Sequence, residues 1–134
     1  MRIIYETETG ISIIVPSGEL SIEKVFEKDV PEQYKASAKI VEDSEVPADR
    51  AFRNAWKLDK DKIVEDVGKS KEVQKEKLRA ERKALLEEQD VLYMKALENG
   101  SDTASIVAEK QRLRDITKKV DLCKTIDDIK KVKL

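Results

Sequence analysis

Between Gly68 and Gly100 the chain has neither glycine nor proline, and Ala, Leu, Lys, Glu, Arg and Gln fill most of the stretch. A helix of about 30 residues is a rod on the order of 45 Å long, a large share of a chain of 134 residues. Asp66 stands where its N-cap belongs, and Asn99-Gly100 is a suitable stop, since both residues tolerate the left-handed conformation. Leu78, Leu85 and Leu92 recur seven apart within it. Ser101 or Asp102 can cap a second helix over 103–119, where Ile106, Leu113 and Val120 repeat the spacing beside Ile116. Two such seams joined by Asn-Gly-Ser predict an αα-hairpin. Thr125 caps a last short helix over 125–132.

The second helix is about half as long as the first, so this reading leaves 67–80 uncovered. That segment offers only Val73, Leu78 and Ala80 as apolar residues after Val67. It is either a solvated bridge or a surface packed on another chain. Val73 and Leu78 are therefore candidate interface residues, and a dimer or trimer through 67–80 is the oligomer expected.

The first 66 residues carry different signals. RIIY (2–5) and ISIIV (11–15) are β-branched runs flanking ETETG, and they read as a hairpin with a loop of four or five residues. Ile3 and Tyr5 fall on one face and Ile4 on the other; Ile11, Ile13 and Val15 oppose Ser12 and Ile14. Helix 21–29 follows with Ser21 as cap, then a third strand at 36–42 and a second hairpin from 57–59 and 62–66. The fold class expected is α+β. A small antiparallel module with short helices (1–66) precedes the long helix, its hairpin and the C-terminal helix (67–134).

Composition narrows function. Charged residues make up 41% and aromatics 4%, so any core is thin and aliphatic. Residues 1–66 hold 10 Lys/Arg and 15 Asp/Glu, against 17 and 13 in 67–134, which gives nets of −5 and +4. Bases and acids are interleaved, so no nucleic-acid partner is expected. Histidine is absent, which removes the commonest general base and metal ligand. The one cysteine, Cys123, excludes an internal disulfide and a cysteine-rich zinc site. No apolar run reaches membrane-spanning length and the N-terminus lacks a signal-peptide core, so a soluble protein without a membrane partner is expected. The acidic residues Asp59, Asp61, Glu65 and Asp66 lack the spacing of a calcium loop and read as a solvated hairpin. Phosphate loops and catalytic triads are missing; no enzyme, cofactor or metal is expected.

The most distinctive local sequence is RAFRNAW. Phe52 and Trp56, with Arg50 and Arg53 beside them, combine residue types favoured as interface anchors. The competing reading weighs more: the two aromatics fill the core where sheet meets long helix, and the arginines cover it.

Three pieces, VPADRAFRNAW (46–56), LRAERKALLEEQD (78–90) and EKQRLRDIT (109–117), occur in an order that resembles small proteins of tailed bacteriophages. These are encoded near tail or tail-fibre genes, and some are called tail assembly chaperones or tail-fibre assembly proteins. Chaperone-type members carry a Trp- and Pro-rich segment between the helical motifs; here DVLYMKALENGSDTAS has neither residue. The resemblance implies a non-catalytic structural protein of the tail or fibre apparatus. Its partners would be other phage tail or fibre proteins, with the virion or the host cytoplasm during assembly as its place. An assembly chaperone that leaves the virion is the alternative, and a phage-encoded modulator of a host protein the next.

Overall fold

A computed structural model describes residues 1–134 in two compact units, Met1–Lys69 and Ser70–Leu134. The first unit is built on two antiparallel sheets. Strands β1 (Arg2–Thr7), β2 (Gly10–Ile14) and β3 (Lys39–Val41) form one in the order β2-β1-β3; β4 (Trp56–Asp59) and β5 (Lys62–Glu65) form the other. Helix α1 (Ile22–Asp29) lies between β2 and β3 in sequence. The architecture is α+β, with the small β module leading into a long helix.

Doublets of large aliphatics explain the module. Successive strand residues point to opposite faces, so Ile3-Ile4 and Ile13-Ile14 require both faces of the sheet to be covered. Ile3 packs with Val25, Val30 and Ala38, joined by Tyr5 and Ile14. Ile4 packs with Ile11, Val41, Val46 and Trp56, joined by Ile13, Leu58 and Ile63. One face thus belongs to α1 and its flanks, the other to the second hairpin. Both alternations read from the sequence hold, but the first loop is shorter than expected. Thr7 pairs with Gly10, leaving only Glu8 and Thr9 between the strands. The Thr7 hydroxyl donates to the Gly10 carbonyl at 3.0 Å, and Gly10 takes φ +137°. The third strand shrinks from 36–42 to Lys39–Val41, because a 3-10 turn at Glu32–Tyr34 runs on into a turn whose Ser37 and Ala38 N–H groups donate to the Tyr34 carbonyl, with the Tyr34 ring stacked on Tyr5 at 5.2 Å.

Helix α2 (Val67–Glu98) is 32 residues long. The Lys69 backbone N–H donates to Asp66 Oδ1 at 2.9 Å, the expected cap. At the other end Ser101 N–H donates to Ala96 O and Gly100 N–H to Leu97 O, with Gly100 at φ +65°. Those paired bonds satisfy the orphan carbonyls of the last turn. Helix α3 (Ala104–Asp121) returns antiparallel, its first turn held by Asp102 Oδ1 accepting from Ala104 N–H at 2.9 Å. In α4 (Ile126–Lys131) the Asp128 N–H donates to Thr125 Oγ1 at 3.2 Å.

The expectation that 67–80 has no partner in its own chain is corrected. Lys71 Nζ donates to the Asp121 carbonyl at 3.1 Å, and Lys75 pairs with the Asp121 carboxylate. Gln74 Nε2 donates to the Val132 carbonyl at 2.8 Å. Ser70, Gln74 and Leu78 are buried along with Val120 and Ile129. Helix α3 runs on to Asp121, and the segment through α4 continues the cover along the first turns of α2. Further along, the Arg82 guanidinium donates to the Leu113 and Arg114 carbonyls, and Lys110 pairs with Asp90 while lying over the Tyr93 ring. No helix is long and apolar enough to cross a membrane.

Candidate functional site

The RAFRNAW stretch forms a hydrogen-bonded corner of the first unit. Asp49 Oδ1 accepts from Ala51 N–H at 2.9 Å, a 3-10 turn spans Arg53–Ala55, and Asp66 N–H donates to Ala55 O at 2.8 Å. Phe52, Ala55 and Trp56 point inward, with Trp56 0% exposed. Trp56 packs with Ile4, Ile11, Val41 and Val46, joined by Leu58 and Ile63 of the second hairpin. Trp56 Nε1 is buried with no hydrogen-bond partner, and nothing in the structure explains it.

Pulling the aromatics in leaves Arg50, Arg53 and Asn54 exposed on the same corner. Arg53 and Asn54 line an open polar cleft of about 280 Å³ with Thr7, Thr9, Gly10, Ile11 and Ser12, residues of the β1–β2 turn and the strand ends that flank it. The arginines are thus the outward-facing part of this motif and the aromatics its anchor. Of the six residues named as interface candidates, Phe52, Trp56 and Leu78 are withdrawn as contact residues because each is already buried within the chain. Val73 is half-buried, and Arg50 and Arg53 remain accessible.

Comparison with protein-family models, with curated proteins and with solved structures finds no match to this chain. The site therefore rests on its own geometry.

That geometry is one of ion pairs. Asp61 pairs with Lys39 at 3.4 Å and Asp66 with Lys57 at 3.2 Å, so half of the acidic quartet around the second hairpin has lysine partners. The Lys69 backbone N–H, helped by Lys57, holds the Asp66 carboxyl below its ordinary value. Glu32 and then Glu27 raise Lys35, and Asp121 and then Glu72 raise Lys75. Asp66 is a carboxylate held first by a helix-capping N–H, and Lys35 and Lys75 are cations held by neighbouring carboxylates. None is the opposed pair of environments that sets up an acid and a base.

Sequence reasoning missed a second surface. On α2 beyond Leu78, Leu85, Val91 and Leu92 are exposed, in the half of the helix where the hairpin was expected to close. The heptad leucines were the available signal. Leu78 alone of the three is buried, and it lies at the end of the helix where Gln74 Nε2 donates to the Val132 carbonyl beyond α3.

Proposed function

We propose that this chain is a non-catalytic structural protein of a bacteriophage tail or tail-fibre apparatus, acting through protein–protein contacts. The order of VPADRAFRNAW, LRAERKALLEEQD and EKQRLRDIT supports the phage setting. The observation that carries the mode of action is the RAFRNAW corner. Its buried Phe52 and Trp56 fix the backbone, and Arg50 and Arg53 face outward with no carboxylate of this chain holding either. Arginine on a preorganised turn loses little freedom on docking and presents a planar fork to partner carboxylates or carbonyls. The contact expected is with an acidic or carbonyl-rich surface of another tail or fibre protein.

Quantitative mass spectrometry of purified virions is the test. The expected result is this protein at a fixed stoichiometry with a tail or fibre protein, lost from particles that carry Arg50→Glu with Arg53→Glu. Absence from virions together with co-purification of a fibre protein would establish the assembly chaperone instead. Capture of one host enzyme and no phage protein would overturn both.

A further inference from the structure

We propose that α2 also pairs antiparallel with α2 of a second copy of this chain, along the stripe from Glu81 to Lys95. Positions 81, 84, 85, 88, 91, 92 and 95 follow the three-and-four spacing that places residues on one helix face. All seven are exposed, with Leu85, Val91 and Leu92 at 37%, 53% and 47%. The residues that reach α3 from this part of α2 are others, namely Arg82, Asp90 and Tyr93. The stripe is a second apolar face of the same helix.

Its charge order selects the partner. Glu81 precedes the apolar row and Lys95 follows it, and neither takes part in an ion pair within the chain. Turning a second copy about a twofold axis at Glu88 brings Glu81 opposite Lys95 of that copy, and Lys95 opposite its Glu81. The same rotation sets Leu85 against Val91 and Ala84 against Leu92, each pair occurring twice. A parallel dimer or trimer would oppose Glu81 to Glu81 and Lys95 to Lys95, so the row discriminates against it. The contact is isologous and closes at two copies. Glu88 meets its own copy at the axis, the one unfavourable pair in this register.

A stripe about 21 Å long on a helix about 10 Å wide covers on the order of 200 Å², well short of the roughly 800 Å² per partner of a standard interface. The dimer should accordingly dissociate at a concentration on the order of 100 µM. It is read on the purified chain alone, so its failure leaves the tail-protein reading standing, and the converse holds.

Sedimentation velocity of the full chain over a concentration series tests it, with far-UV circular dichroism to verify folding of each variant. A monomer–dimer equilibrium is expected, abolished by Leu85→Glu with Leu92→Glu, both surface changes in the monomer. Glu81→Lys or Lys95→Glu alone should weaken it about tenfold, since each creates two like-charge pairs. The two together should restore it, and Glu88→Gln should tighten it severalfold. A monomer at all concentrations, a trimer, or a double charge swap that does not restore the dimer would overturn the proposal.

Discussion

The two units solve the same shortage of core material in opposite ways. In Met1–Lys69 a three-stranded sheet is covered on both faces, so that adjacent residues such as Ile3 and Ile4 are both buried. In Ser70–Leu134 two helices pack side by side, and a third short one thickens the pair only near Ser70–Leu78. Beyond that point α2 has a single partner, and Leu92 stays half exposed. A sheet can be closed by a hairpin and one helix; a two-helix pair has a seam open on its flanks. Short chains that keep such seams have a surface to share with another molecule.

That contrast can be broken most directly by truncating one side chain in each environment. Ile4→Ala removes a side chain from the face shared with Trp56 and should cost about 3 kcal/mol, with Leu78→Ala costing a similar amount in the helical unit. Leu92→Ala, on the open flank, should change stability by less than about 0.5 kcal/mol in dilute solution. Trp56 is the only tryptophan, so its fluorescence follows the sheet unit while circular dichroism follows the helices. Urea titrations should show Ile4→Ala in the first signal and Leu78→Ala in the second. A Leu92→Ala loss equal to that of Leu78→Ala would mean the flank is not open.

The next effect concerns the start of α2. Asp66→Ala removes the acceptor for Lys69 N–H and the partner of Lys57, and should cost about 1 kcal/mol at neutral pH. Because the folded carboxyl titrates below its unfolded value, its stabilisation is present above about pH 4 and fades as pH falls through the folded value. The wild-type chain and the variant should therefore converge in urea midpoint only as pH falls below the folded value. A gap that persists there would assign the loss to packing, not to the charged cap.

Local signals in the sequence located most element boundaries, and the long-range ones escaped. Asp66, Thr125 and Asn99-Gly100 act within a few residues of themselves, so their roles can be read from spacing. The cover of 67–80 could not be read that way, because it depends on Lys71, Gln74 and Lys75 meeting residues about fifty positions later. Ser70 and Gln74 are polar, so their burial left no apolar mark on the helical pattern. Counting only α3 against α2 also left out α4, whose Ile129 is fully buried. At RAFRNAW both aromatics are buried, as the sequence reading weighed them, yet Trp56 packs with Ile4, a residue far from it in sequence that only the fold brings near.

The smallest effect is at the second hairpin. Asp59 pairs with Lys62, so the chain reverses over Lys60 and Asp61 alone. Lys60 sits at φ +57°, the one non-glycine residue in the left-handed region. A side chain there costs roughly 1–2 kcal/mol, while glycine gives back part of that through the greater freedom of the unfolded chain. Lys60 makes no ion pair, so Lys60→Gly gives up no partner. The expected balance is a gain of about 0.5 kcal/mol, read as a higher urea midpoint in Trp56 fluorescence with the helical signal unmoved. Since β4 carries Trp56 and pairs directly with β5, a stiffer turn should be felt in the same core that anchors the exposed arginines. A lower midpoint would show that the strained residue is held by contacts worth more than its strain.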